Sequence, residues 1–259
     1  MKPAYSFILP VLNNCDGFTQ AIQSILAQSD ELLEIIVIDG GSEDGTLEAI
    51  QSFKENIKYR ESGKDSGIAD AFNRGIKKAS GDVIGILNSD DILETDALNK
   101  LSQAINTNSQ AEIYCGATRY FDPVRNTSYI RKPNISRMKW RMSVFHPSMF
   151  VRRSCYDRIG LYDESYTHAM DSEWCHRALA QGAEFFEIPE VMTTMSLGGV
   201  SDVEYTISLS QYRDSVIKHG LATPFAAHGY FQFYRLIKGL MRMPFMHPIK
   251  RVRDRLISG

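Results

Sequence analysis

The run Val83-Ile84-Gly85-Ile86-Leu87 stops at Asn88-Ser89-Asp90-Asp91, so a continuous apolar stretch ends in two adjacent carboxylates. A short apolar run bounded by turn residues, here Gly81-Asp82, reads as a buried parallel strand. Open α/β sheets bind ligands beyond the carboxyl ends of their strands. Asp90 and Asp91 are therefore expected where chemistry takes place. Neighbouring carboxylates repel unless a proton or cation lies between them, and hard oxygen ligands suit Mg²⁺ or Mn²⁺. Helix N-capping is the plainer use for either aspartate.

The residues before this run repeat its pattern. Tyr5 to Leu12 is an apolar run ending in Asn13-Asn14. Gly17 to Gln28 carries Phe18, Ala21, Ile22, Ile25 and Leu26 at helical spacing. Leu33 to Ile38 reads as a second strand closed by Asp39 and the turn Gly40-Gly41-Ser42, followed by a helix over about 44–53. Ile57 to Glu61 reads as a third strand, then a loop through Lys64 and Asp65, then a helix over 68–79. Alternating strands and helices imply βαβ units and a parallel sheet. Leu12, Asn13, Asp39, Lys64, Asp65, Asp90 and Asp91 should then converge on one crevice.

That set suits a nucleoside diphosphate. Asp39 would accept a hydrogen bond from a base or ribose, Lys64 would offer a point charge to phosphate, and Asp91 would hold a metal bridging two phosphates. Each has a blander use: Asp39 as a turn aspartate before Gly-Gly, Lys64 as a solvated surface charge.

The whole chain narrows the classes. It has 259 residues, 43% hydrophobic and 23% charged, with net charge −2, which fits a core-forming protein and argues against a general nucleic-acid binder. Cys15, Cys115, Cys155 and Cys175 are scattered with no CxxC pair, so neither a disulfide framework nor structural zinc is indicated. No apolar run approaches about 18 residues and no basic-then-apolar leader opens the chain, so the expected location is cytoplasmic. A dinucleotide-dependent oxidoreductase needs G-x-G-x-x-G after the first strand, and Asn13-Asn14-Cys15-Asp16-Gly17 lacks it. A phosphotransferase with a nucleophilic aspartate finds no supporting pattern around Asp90-Asp91.

Asp39-Gly40-Gly41-Ser42-Glu43-Asp44-Gly45-Thr46 resembles the D-[DG]-G-S-x-D-G-T motif of family 2 glycosyltransferases. Ser66-Gly67-Ile68 through Asn73-Arg74-Gly75 and on to Gly81-Asp82 is similar to that family's G-x-x-x-A-x-N-x-G-x-x-x-A-x-G segment, and Asn88-Ser89-Asp90-Asp91 to its DxD metal motif. The resemblance is close over about residues 5–95. It implies a GT-A α/β fold, a nucleotide-sugar donor (UDP- or GDP-linked), a divalent metal and inversion at the anomeric carbon. Asn88 stands where the family has the first aspartate, which leaves Asp90 and Asp91 as the carboxylates for the metal.

The expected organisation is a Rossmann-like, mostly parallel nucleotide-sugar-binding half over 1–95, an acceptor and catalytic half over 96–204, and a helical C-terminal extension over 205–259. Asp96 to Ile105 reads as a helix, Glu112 to Tyr120 as a strand, and 121–143 as a long irregular segment rich in bases. Those bases would meet a phosphate-bearing acceptor or only solvent. Phe145 to Val151 reads as a strand entering the site, with His146 against donor phosphate or acceptor, or simply structural. Asp171-Ser172-Glu173-Trp174-Cys175-His176-Arg177 resembles the family's [ED]-D-x-x-[LW]-x-x-R motif, which implies that Asp171 is the catalytic base. A position at a helix start should lower its pKa and keep it ionised. Gly198-Gly199-Val200-Ser201 reads as a loop able to order over the donor.

From Tyr230 onward, Arg235, Lys238, Arg242, Lys250, Arg251, Arg253 and Arg255 oppose only Asp254. Aromatics interleaved with bases suggest peripheral contact with an anionic membrane at its inner face; packing back on the body is the alternative. The function expected is sugar transfer from a nucleotide donor to a hydroxyl, in bacterial-type polysaccharide or lipid-linked glycan biosynthesis. A catalytically inactive nucleotide-binding module is the alternative.

Overall fold

Tyr5–Val11 (β1) is buried along its whole length, as an unbroken apolar run requires. The structure, a computed structural model, describes residues 4–28, 32–197 and 205–241. Parallel neighbours flank β1 on both sides: Leu33–Asp39 (β2) and Val83–Ile86 (β4). Tyr59–Ser62 (β3) adds in parallel beyond β2. Helices Cys15–Leu26 (α1), Thr46–Ser52 (α2) and Ile68–Lys78 (α3) connect these strands.

Strand alternation divides the core between the two faces of the sheet. Phe7 and Leu9 of β1 join Phe18, Ile22 and Ile25 of α1 in one apolar cluster. Ile8 of the same strand joins Phe72 and Ile76 of α3 in the other. A Cβ at Gly75 would come within 2.3 Å of Ile8 Cγ2. Only glycine lets α3 lie this close to β1, which accounts for Asn73-Arg74-Gly75 in physical terms.

The second half continues the same sheet. Its order is β3-β2-β1-β4-β8-β6-β9-β5. Met149–Arg152 (β8) runs antiparallel to both β4 and Ile113–Asp122 (β6), so β6 and β4 point the same way. Phe185–Ser196 (β9) is parallel to β6, and Asp91–Leu93 (β5) is antiparallel to β9. The carboxyl ends of β1, β2, β3, β4, β6 and β9 therefore share one edge with the start of β5. Ala97–Thr107 (α4), Arg153–Ile159 (α5) and Met170–Ala180 (α6) cover the faces.

Three elements differ from the sequence reading. The segment 121–143 opens with a strand, Thr127–Arg131 (β7), forming a hairpin with β6 around Asn126 at φ 49°. Phe145–Val151 is not one strand: His146–Ser148 is a 3₁₀ turn, because Pro147 fixes φ and lacks a ladder donor, and pairing begins at Met149. The sequence reading had no strand at Phe185–Ser196. Its Pro189 sits in a register shift, where Ile188 pairs with Gly116 and Val191 with Ala117.

At the C-terminus, Tyr205–Lys218 (α7) and Pro224–Met241 (α8) form a small third core. Tyr212, Val216, Ala227 and Phe231 are its buried members, with Trp140 and Tyr230 packed against them. Tyr230 and Phe231 thus pack back on the body, while Phe225 and Phe233 are 91% and 63% exposed. Gly198-Gly199-Val200-Ser201 and the bases from Arg242 onward lie outside the described residues. Among the described residues no helix is long and apolar enough to cross a membrane.

Candidate active site

Four loops meet at the shared edge. After β1, Leu12 is exposed, and Asn13 takes a left-handed conformation at φ 49°. Its amide donates to Ser42 Oγ at 2.8 Å, and its side-chain Oδ1 accepts from the Glu43 amide at 2.8 Å. Asn14 caps α1 by accepting from Gly17 N, and its Nδ2 donates to Ser89 Oγ at 3.1 Å. One asparagine pair thus ties the end of β1 to the loop after β2 and to the turn after β4.

Asp39 is wholly buried at the end of β2. Its two oxygens accept from the Gly41 and Ser42 amides and from the Ser42 and Ser62 hydroxyls. It is the hub that shapes the Gly40–Gly45 turn, in which Gly41 and Gly45 take φ of 92° and 94°. Lys64 is exposed. Asp65 accepts from Gly67 N at 3.0 Å, and a Cβ at Gly40 would lie 2.9 Å from its Oδ2. The absence of that Cβ lets the Lys64-Asp65 loop lie against the end of β2.

Beyond β4, Asn88 Nδ2 donates to Asp91 Oδ2 at 3.1 Å. Asp91 is 2% exposed. Burial, then the neighbouring Asp90, pushes its pKa well above the usual carboxylate range, and the Asn88 bond only partly opposes this. Asn88 Oδ1 and His146 Nε2 are buried with no hydrogen-bond partner among the described residues. A buried carboxylate that resists ionisation, an exposed carboxylate beside it and an orphaned amide oxygen are oxygen donors in need of positive charge. These residues fit a hard divalent cation. No cluster of three His, Cys, Asp or Glu gathers among the described residues. This donor set suits an ion bound through one or two carboxylates plus substrate phosphates, as Mg²⁺ commonly is.

His146 reaches the same edge from the start of β8. Its ring stacks on Phe72 of α3 at 4.6 Å, and burial lowers its pKa to about 4, so it is neutral at pH 7. Phe72 meets Tyr162 edge-on at 5.4 Å. Burial, then the neighbouring Tyr156, pushes the Tyr162 phenol pKa well up, with Asp171 the least of the causes. This line of rings runs from His146 through Phe72 and Tyr162 to Trp174 of the helix α6, whose ring lies 5.9 Å from that of Tyr162.

Asp171 occupies the first turn of α6, half-buried, with Oδ1 accepting from Ser172 N at 2.7 Å. Its pKa is raised, where the helix start alone should lower it; burial outweighs the bonds from Ser172. The sequence expectation is corrected on this point, and the shift makes the carboxylate more basic. Arg177 of the same motif donates to the carbonyls of Ile159 and Leu161 and pairs with buried Glu173 at 2.9 Å. Trp174 Nε1 donates to Gly160 O at 2.8 Å. Trp174 and Arg177 therefore anchor the loop before α6.

Sequence reasoning missed Asn73 and Tyr162, which bond each other. Asn73 lies inside a recognised segment, so its position was legible. The strand β7 was not legible, because it lies within a stretch whose bases mask its alternation.

A sequence model of glycosyl transferase family 2 matches residues 6–170. A PGL/p-HBAD biosynthesis glycosyltransferase of Mycobacterium tuberculosis is 28% identical over 188 residues, covering 70% of this chain and 72% of the relative. An uncharacterized glycosyltransferase of Rickettsia typhi is 33% identical over 189 residues, covering 66% of this chain and 57% of the relative. Two solved structures share the fold. S. aureus TarS 1–349 in complex with UDP-GlcNAc superposes with a TM-score of 0.69 at 15% identity, covering 88% of this chain and 70% of that one. The mannosyltransferase PcManGT from Pyrobaculum calidifontis, in complex with GDP-Man and Mn²⁺, gives 0.64 at 18% identity, covering 89% and 70%. This chain spans 40% of the longer TarS chain.

Proposed function

The chain belongs to glycosyl transferase family 2, and from that premise we propose that it transfers a sugar from a UDP- or GDP-linked donor to a hydroxyl of a glycan or lipid-linked acceptor. The observation that carries this reading is the Asp90-Asp91 pair at the carboxyl edge of β4, with the orphaned Asn88 Oδ1 beside it. The relatives add weight: PcManGT is solved with GDP-Man and Mn²⁺, and TarS with UDP-GlcNAc.

In this reading Leu12, Asn13 and the turn held by Asp39 receive the nucleoside, and Lys64 and Asp65 line the phosphate side. Asp91, with Asp90 and Asn88, would hold Mn²⁺ or Mg²⁺. When bound, the ion supplies positive charge to the leaving diphosphate. Lys64 adds a second positive charge to those phosphates. His146 offers a neutral ring nitrogen as a hydrogen-bond partner to donor or acceptor. Asp171 takes the proton of the acceptor hydroxyl as its oxygen attacks the anomeric carbon from the face opposite the diphosphate. The new glycosidic bond forms as the bond to the diphosphate breaks, so configuration inverts in one displacement.

The raised pKa of Asp171 suits the role, since a stronger base takes the proton more readily. Asp171→Asn should reduce nucleotide release from the donor by about 10²–10⁴-fold while donor affinity holds. Retention of most turnover would reduce Asp171 to a first-turn carboxylate of α6 with no part in the chemistry. Donor binding with no nucleotide release in the native protein would favour the inactive nucleotide-binding module. The exposed apolar side of α8, followed by a base-rich tail, supports peripheral contact with the inner face of a membrane.

A further inference from the structure

The β6–β7 hairpin stands at the same edge as the nucleotide crevice, because β6 runs with β4. Tyr120 near the end of β6 pairs with Met195 of β9, and Asp91 pairs with the same Met195 from the other side. Residues in one lateral row project to one face of a sheet. Tyr120 and Asp91 thus share a face, either side of Met195.

Tyr129 lies directly opposite Tyr120 on β7, with the rings parallel at 5.3 Å and 9°. The Arg131 guanidinium sits 5.4 Å from the Tyr120 ring and 4.7 Å from the Phe145 ring, immediately before His146 in the chain. Neighbouring Arg119 and Arg125 are paired with Glu94 and Asp122. Arg131 has no carboxylate partner among the described residues. Two aromatic faces hold its planar fork in place, which lowers the entropy lost when it grips an anion.

We propose that Tyr120, Tyr129 and Arg131 form an acceptor subsite for an anionic sugar unit, with the phosphate or carboxylate on the Arg131 guanidinium and a sugar face on the tyrosine pair. The inference rests on the crevice being the donor site, since it fixes the acceptor side relative to Asp91. A guanidinium fork matches both phosphate and carboxylate geometry. The tyrosine rings are flat and part-buried, and they supply contact area at low entropic cost.

The test uses the full chain saturated with UDP and Mn²⁺. Calorimetric titrations with glucose 6-phosphate, glucuronate and glucose are run on the native protein, Arg131→Ala and Arg131→Lys. The proposal expects binding of at least one anionic probe, weakened about tenfold or more by Arg131→Ala and less by Arg131→Lys, with glucose much weaker. Whether glucose 6-phosphate or glucuronate binds tighter distinguishes phosphate from carboxylate. UDP affinity should stay within about twofold in both variants, as the subsite lies apart from the nucleotide. Equal probe affinity in Arg131→Ala, no heat with either anion, or glucose binding as well as the anions would overturn the subsite. So would UDP affinity falling as steeply as probe affinity, which would make Arg131 a donor contact. If the native protein fails to bind UDP at all, the donor-site reading itself falls, an outcome separate from any effect at Arg131.

Discussion

The side-chain amide of Asn73 pairs with the backbone of Tyr162 as a strand neighbour would. It donates Nδ2–H to the Tyr162 carbonyl at 3.0 Å and accepts the Tyr162 amide on Oδ1 at 2.9 Å. The bond pair fixes the loop before α6 to α3, so the element carrying Asp171 is registered against the β1–β4 part of the sheet that α3 packs on.

Asn73→Ala should therefore be costly. It leaves the buried N–H and C=O of Tyr162 without partners, a loss of about 2–3 kcal/mol. In a chain of this size that corresponds to a melting-temperature drop of about 4–10 °C. Denaturant midpoints measured with unchanged slope would give the same answer, and an unmoved midpoint would show that the pair contributes nothing.

His176 gives a pH dependence with a definite sign. Its Nε2–H donates to Met138 O at 3.1 Å and its Nδ1 accepts from the Ser215 hydroxyl at 2.9 Å, so the neutral ring joins α6 to α7 and to the 134–143 segment. Burial lowers its pKa from 6.5 to about 4. The fold therefore favours the neutral form, and this contribution is complete above pH 6.5 and lost as pH falls from 6.5 towards 4. The loss amounts to about 3 kcal/mol. Unfolding free energies of native protein and His176→Gln should converge between pH 7 and pH 4. A constant difference across that window would contradict the assignment.

Much of this was legible in the chain, and the exceptions have physical causes. Residues 5–95 spell out strands and helices because apolar runs and helical spacing alternate without interruption. Gly75 and Asn73 stood in a recognisable segment, although only the structure shows Ile8 and Tyr162 as their reasons. β9 was hidden because Pro189 argues against a paired strand until a register shift accommodates it. β6 was legible over Glu112–Tyr120, but its partner β7 was hidden because its surroundings are rich in bases. The direction of the Asp171 pKa was missed because burial, which outweighs the helix start, is a tertiary property.

The two sides of α8 have different partners. Ala227 and Phe231 are buried against α7, whereas Phe225, Phe233 and Leu236 are exposed, Leu236 by 60%. Paired substitution Phe233→Asp with Leu236→Asp should abolish co-sedimentation with anionic vesicles and leave the melting temperature within about 2 °C, since surface changes rarely exceed ±0.5 kcal/mol. Native binding should also weaken at high salt, because each base near the surface contributes about 1 kcal/mol. Binding indifferent to both changes would leave α8 as ordinary packing.

The central claim is that Asp91 belongs to a cation-assisted site for a nucleotide diphosphate. Calorimetry with UDP and GDP on the native protein and on the isosteric Asp91→Asn, each with Mn²⁺ and with chelator, addresses it directly. The account predicts that one nucleotide binds the native protein with Mn²⁺, and that chelator or Asp91→Asn weakens it by about tenfold or more. Equal affinity in all four conditions, or no nucleotide binding at all, would contradict it.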